Sequence, residues 1–286
     1  MTTEMLTVLD IIKRSTEFLA GRGVEAPRLN AEVLIGHALG RKRMQLYMEF
    51  ERPLAETELA LIRPLMRRRS LREPLQYIVG QIEFGGGSVK VDRRALIPRP
   101  ETEMLVELVL AWAQGNPPVD RILDLGTGTG AIALAVARAL PGSAVIATDL
   151  DPEALALARE NIELSGLGHR VETLQSDWFA SVPPSRFDIV VSNPPYLSCK
   201  ETEETAPEVR QFEPARALTA GDDGFADLER IIADSPRYLR PGGLLALETG
   251  ISQHPRLVGA LQNAGFGKVE SKSDLTGRNR FILAVL

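Results

Sequence analysis

From about residue 119 onward the chain alternates apolar, β-branched runs with amphipathic stretches, and this rhythm restricts the fold more than any other feature. Arg121-Ile-Leu-Asp-Leu125, Ala144-Val-Ile-Ala-Thr-Asp149, Val171-Glu-Thr-Leu174 and Phe187-Asp-Ile-Val-Val191 read as strands. Between the first three lie an Ala-rich helix over 131–140 and a helix opened by Pro152. Strand–helix–strand alternation forces parallel pairing with right-handed crossovers. A long acidic loop over 197–224 follows. Next come a helix through Leu228 and Ile231, a strand at 244–247, a helix through Leu257 and Leu261, and two consecutive strands that end in Phe281–Leu286. Two strands in a row imply an antiparallel hairpin on an otherwise parallel sheet.

The segment before residue 75 has a different texture. Leu6, Leu9, Ile12 and Leu19 recur at helical spacing, Pro27 opens a second helix, and Ala55–Arg69 makes another. Tyr77–Val79 and Val89–Val91 are short β-prone runs around Gly85-Gly86-Gly87, which suggests a hairpin. The expected organisation is a helical recognition domain over 1–75, a hairpin linker over 76–97 and an α/β domain over 98–286. Arg67-Arg68-Arg69 and Arg72 lie at the end of the helix over 55–69. They fit a solvated helix end that complements the macrodipole, or a docking patch for an acidic partner.

Composition excludes several classes. The formal net charge of −5 argues against a protein that coats nucleic acid. The single cysteine, Cys199, rules out an intrachain disulfide and a thiolate metal cluster, and no metal is expected. The N-terminal residues lack the basic and apolar regions of a signal peptide, and no run approaches a membrane span. A cytoplasmic protein is expected, a monomer with no membrane contact and no direct contact with nucleic acid.

Two turns carry the chemistry. Gly126-Thr127-Gly128-Thr129-Gly130 follows the first strand of the alternation and opens a helix, where glycines let the backbone approach a ligand closely. No Gly-Lys-Ser/Thr follows, so it is not a P-loop. Asp149, at the end of the next strand, stands where a ribose-binding carboxylate is expected. Asp177 can accept from an adenine amino group, and Trp178 offers a stacking face. A phosphate would want cations near the glycines, and none lies nearby in sequence; Asp124 does, which suits an ammonium group. The ligand that fits is a nucleoside joined to an amino acid, S-adenosylmethionine.

The second turn is Ser192-Asn193-Pro194-Pro195-Tyr196. Two prolines end the strand and forbid helix, so Asn193 stands at the sheet's carboxyl edge. Its side-chain oxygen and the Pro194 carbonyl could grip both N–H bonds of a planar –NH2 group and fix the nitrogen for in-line methyl transfer. Asn193, Pro194 and Tyr196 are the expected catalytic residues, and Pro195 joins them as substrate-binding.

These stretches, together with Leu96-Ile-Pro-Arg-Pro-Glu-Thr-Glu103, Glu73-Pro-Leu-Gln-Tyr77 and Phe212-Glu213-Pro214 with Ala217-Leu218, resemble the bacterial N5-glutamine methyltransferases that modify peptide chain release factors. The resemblance runs in order over nearly the whole chain. One departure is Gly85 after Phe84, where the family commonly has an aromatic. The resemblance implies a Rossmann-like seven-stranded methyltransferase sheet with an antiparallel terminal strand. It implies that Gly126–Gly130, Asp149, Trp178 and Asn193 contact S-adenosylmethionine, which leaves as S-adenosylhomocysteine. It also implies that Asn193–Tyr196 hold the glutamine of the Gly-Gly-Gln motif of class 1 release factors. The Asn-Pro-Pro-Tyr motif is shared with DNA adenine-N6 methyltransferases, although the acidic charge balance and the lack of a basic target-recognition domain weigh against that reading. A glutamine of a ribosomal protein and a non-catalytic S-adenosylmethionine-binding scaffold stay open as alternatives.

Overall fold

The computed structural model describes residues 6–116 and 118–286, and the chain divides into two compact units. The first comprises residues up to Gly80 together with Ala206–Phe212; the second comprises Gln81–Thr205 and Glu213–Leu286.

The first unit is helical. Helices α1 (Val8–Ala20), α2 (Pro27–Leu39), α3 (Arg43–Met48), α4 (Glu56–Ser70) and α5 (Leu75–Val79) enclose a core of Val8, Ile12, Leu19, Leu34, Ile35 and Ile62. Thr7 caps α1 reciprocally with Asp10, and Gly40, in the left-handed region, closes α2. Tyr77–Val79, read from their residue types as extended, form α5 instead. Pro74 initiates that turn and Gly80, at φ 83°, stops it, so the flanking residues decide a segment whose own propensity is for strand.

At the end of α4, Arg67 and Arg68 are exposed, as a solvated helix end requires, whereas Arg69 is buried and Arg72 half-buried. Arg69 is 5% exposed; it donates to Asn30 Oδ1 (2.7 Å), the Glu73 carbonyl (3.0 Å) and Glu208 Oε1 (2.8 Å). Arg68 holds Glu73 through two bonds of 2.8 Å, and Arg72 reaches Glu208 Oε2 (2.7 Å). Burial works to raise the Glu208 pKa, but the two guanidiniums outweigh it and hold the carboxyl below its ordinary range.

In the second unit β1 (Gln81–Phe84) and β2 (Gly87–Lys90) form a hairpin, with Gly85 and Gly86 at positive φ in its turn. A Cβ on Gly85 would lie 2.3 Å from the Ala135 methyl, so the family's aromatic residue has no room where this turn meets the sheet's helical layer. Then follow α6 (Pro100–Gly115), β3 (Arg121–Leu125), α7 (Ala131–Ala139), β4 (Ala144–Asp149), α8 (Pro152–Ser165), β5 (Val171–Gln175) and β6 (Phe187–Ser192). The segment expected as a long loop holds two short helices, α9 (Cys199–Glu203) and α10 (Pro207–Phe212), the latter belonging to the first unit. The unit ends with α11 (Ala226–Asp234), β7 (Leu239–Glu248), α12 (His254–Asn263), β8 (Lys268–Ser273) and β9 (Asn279–Val285).

The seven strands order as β5-β4-β3-β6-β7-β9-β8. Pairing is parallel from β5 to β7; β9 runs antiparallel between β7 and β8. Strand alternation divides the apolar side chains between two layers. Ile122, Ile189, Val191 and Leu244 face α6 and α7, whereas Leu123, Leu125, Val190 and Leu245 pack with α11 and α12. The chain leaves β3 in one direction and returns at β6 on its other side, so the β3–β6 seam is the switch point where open α/β sheets bind ligands.

Candidate active site

The turn after β3 and the turn after β6 open onto one cleft of about 280 Å³. Gly126, Thr127, Gly128, Thr129, Asp149, Asp177, Trp178, Asn193 and Pro195 all line it. Gly130, Pro194 and Tyr196 do not. Gly130 caps α7 at φ 82°, and Pro194 is buried. Tyr196 packs with the α11–α12 layer, and its hydroxyl donates to Glu248 Oε1 (3.2 Å).

The glycines are required by backbone geometry. Gly126 and Gly128 adopt φ of 69° and 55°, in the left-handed region that side chains disfavour. A Cβ on Gly126 would also come 3.4 Å from the Trp178 ring. Asp149 Oδ2 accepts the Gly128 N–H (2.9 Å) and Oδ1 accepts the Asp151 N–H (3.0 Å), which ties the end of β4 to the glycine turn. Burial pushes the Asp149 carboxyl up, against the pull of the Gly128 bond. Trp178, at φ 48°, is anchored by its Nε1–H to Asp227 Oδ1 (3.0 Å), and Asp177 pairs with Arg230 (2.9 Å).

Asp124 stands elsewhere than expected. Strand alternation turns it onto the α7 side, beneath the glycine turn and with no exposed surface, instead of into the cleft. There its Oδ2 accepts from Thr127 Oγ1 (2.6 Å) and from the Ala133 N–H (3.2 Å). It braces the turn and does not line the cleft. Burial pushes its pKa up to about 7, and Oδ1 has no partner.

Cations do border the cleft, although none is near the glycines in sequence. Arg94, Arg216 and Arg230 reach it from distant segments, and each is already paired: Arg94 with Asp92 and Glu160, Arg216 with Asp151, and Arg230 with Asp177. These pairs leave the cleft without the unneutralised cationic cluster that a phosphate would call for.

Behind the second turn lies a polar network that motif reading missed. Glu248, 1% exposed, ends β7 beside the end of β6, where Ser192 pairs with Leu247. It accepts from Thr102 Oγ1 (2.8 Å) as well as from Tyr196, and Asn193 Nδ2 donates to Thr102 Oγ1 (3.1 Å). Burial raises the Glu248 pKa to about 7, opposed by Thr102, Arg280 and Tyr196. Burial, and then the neighbouring Glu248 charge, push the Tyr196 phenol up in turn. Thr102 was visible only as part of the stretch 96–103. Glu213, in another of the quoted stretches, accepts from the Ile97 N–H (3.0 Å) and from Arg99 (2.5 Å), so it holds that same stretch against the cleft wall.

Comparison with known proteins agrees with this geometry. Residues 10–80 match the PrmC N-terminal domain, and residues 102–220 match the methyltransferase small domain. A release factor glutamine methyltransferase of Geobacter sulfurreducens is 40% identical over 279 residues, covering 98% of this chain and 96% of that one. The chain belongs to the release factor glutamine methyltransferases. A second relative of the same name, from Bordetella pertussis, is 42% identical over 265 residues, covering 92% of this chain and 96% of its own. Among solved structures, a methyltransferase from Pyrococcus furiosus is 19% identical with a TM-score of 0.51, covering 69% of this chain and 87% of that chain, a likeness of fold. Membership of the release factor glutamine methyltransferases agrees with a mixed seven-stranded sheet whose terminal pairing is antiparallel.

Proposed function

We propose that this chain methylates the side-chain amide nitrogen, N5, of the glutamine in the Gly-Gly-Gln motif of class 1 peptide chain release factors, with S-adenosylmethionine as donor. One observation carries the reading: a glycine turn and an Asn-Pro-Pro turn at neighbouring strand ends line the same cleft. The residues present fit the donor. Gly126 and Gly128 offer backbone that can be approached closely; Asp149 retains lone pairs for ribose hydroxyls, and Asp177 for the adenine amino group. Trp178 contributes a ring face fixed by Asp227.

The donor supplies a methyl group on a sulfonium sulfur, which leaves as a neutral thioether. The protein's task is to make a poor nucleophile available. An amide nitrogen delocalises its lone pair into the carbonyl. Asn193 Oδ1 and the Pro194 carbonyl accept its two N–H bonds, fix the nitrogen's position and favour localisation of the pair toward the methyl carbon. Apolar lining from Leu96, Pro98, Ile132, Pro195 and Pro214 limits water in the cleft. An N-methylated amide that still carries both hydrogens is strongly acidic, so one proton departs after the N–C bond forms and no general base is required.

The test offers tritiated S-adenosylmethionine and three acceptors, a release factor, ribosomal proteins and duplex DNA, and locates the label by mass spectrometry. One methyl group on the Gly-Gly-Gln glutamine is expected. Label in adenine or on a ribosomal protein, or no transfer, would overturn the assignment.

A further inference from the structure

We infer that Thr102 and Glu248 are positioning residues that set which way round the Asn193 amide faces. The inference rests on the reading that Asn193 accepts an N–H of the substrate amide, and it adds what makes Asn193 an acceptor there.

An asparagine amide can present its oxygen or its NH2 to a given neighbour, and the partners decide. Asn193 touches the oxygen of a threonine hydroxyl, which can itself donate or accept. Left alone, that hydroxyl would select neither orientation. The choice is made one bond further on. When Glu248 is ionised, the single Thr102 hydroxyl hydrogen is drawn to its Oε2 at 2.8 Å. With its hydrogen committed, Oγ1 can only accept from Asn193, so Asn193 turns its NH2 toward Thr102 at 3.1 Å. Its oxygen is left for the cleft that Asn193 lines, with no hydrogen bond to it among the described residues.

Burial makes this arrangement firm. Thr102 is 3% exposed and Glu248 is 1% exposed, so water does not compete for either group. The other carboxylate oxygen accepts from Tyr196, which secures the last residue of the same turn. The three residues come from far apart in the chain: Thr102 from the first turn of α6, Asn193 from just past the end of β6 and Glu248 from the end of β7. One carboxylate therefore fixes both ends of Asn193–Tyr196, one directly and one through a hydroxyl relay.

The experiment compares Thr102→Val, Thr102→Ser, Glu248→Gln and the Thr102→Val/Glu248→Gln pair with the wild-type chain. Single-turnover methylation of a release factor is measured at saturating donor, beside donor affinity by calorimetry. Thr102→Val keeps the shape and removes the relay, and a roughly 10- to 100-fold fall in rate is expected from misdirection of the acceptor, with donor affinity held. Thr102→Ser restores most of the rate. Glu248→Gln can still present its carbonyl to Thr102 and loses less, and adding it to Thr102→Val costs less than it does alone, since only the direct contact with Tyr196 is then left to disturb. An activity-independent readout is the Asn193 NH2 pair in an ¹⁵N spectrum, assigned by its absence in Asn193→Asp. Its shifts should move in Thr102→Val and return in Thr102→Ser. A wild-type rate in Thr102→Val, equal defects in the Ser and Val variants, an unmoved NH2 pair, or additive losses in the double variant would each overturn the inference. Absence of methylation by the wild-type chain would instead count against the proposed function.

Discussion

The two turns that meet at the β3–β6 seam solve opposite problems. The turn after β3 works through its backbone. Gly126 and Gly128 stand at positive φ and line the cleft, and what they offer a ligand is closeness. The turn after β6 works through rigidity: its prolines remove freedom, and its proposed polar contacts are the Asn193 side chain and the Pro194 carbonyl. Each turn rests on a buried carboxylate. Asp124 ties Thr127 to the start of α7, and Glu248 ties Thr102 and Tyr196 together. The comparison teaches a division of labour in which one turn governs donor binding and the other governs the geometry of transfer.

The largest expected effect comes from breaking the second turn. Asn193→Ala should lower the single-turnover rate roughly 100-fold, on the scale of a misplaced reacting group, while calorimetry gives a much smaller fall in donor affinity. Breaking the first turn should do the reverse. In Gly126→Ala the left-handed backbone costs about 1–2 kcal/mol and the added methyl meets Trp178, so donor affinity should fall roughly 10-fold with the rate at saturation largely kept.

A subtler effect separates the two carboxylates from ordinary surface acids. Asp124 has a folded-state pKa of about 7, above its unfolded value, so between those values the folded state holds a proton that the unfolded chain lacks. Its contribution to stability is greatest below the unfolded pKa and is lost as pH rises through about 7. Thermal unfolding scans from about pH 5 to about pH 8 should therefore show a shallower loss of Tm in Asp124→Asn than in the wild-type chain. A parallel slope in the two proteins would mean that Asp124 is charged throughout.

The smallest effect is expected at the rim. The Asp177–Arg230 pair is about half exposed on both sides. Exposed pairs contribute about 0–1 kcal/mol, so Arg230→Met should change donor affinity by less than about fivefold, measured by the same calorimetry. A larger loss would give Arg230 a direct part in binding the donor.

Much of this was legible along the chain. The strands of the parallel half announce themselves as β-branched runs, and the two turns as dense clusters of glycine or proline. Asp149 could be placed at a strand end by spacing, and Asp177 falls in the bend just past β5. What escaped was whatever depends on a partner far away. Glu248 closes an apolar run and carries no mark of burial, while its partner Thr102 lies 146 positions earlier. Glu208 looks like one acid in an acidic loop, yet two arginines more than 130 positions away enclose it. Asp124 was placed on the correct turn but on the wrong side of it, because proximity in sequence does not say which face of a strand a side chain takes. The segment 77–79 shows the converse, where residue preference for strand yields to a proline and a glycine at its ends.

The division of labour is tested most directly by measuring two constants in two variants side by side: donor affinity, and single-turnover methylation of a release factor at saturating donor, in Asn193→Ala and Gly126→Ala. A crossed result is expected, with rate lost and affinity largely kept in the first, and affinity lost and rate largely kept in the second. Loss of both constants together in either variant, or a near-normal rate in Asn193→Ala, would contradict it.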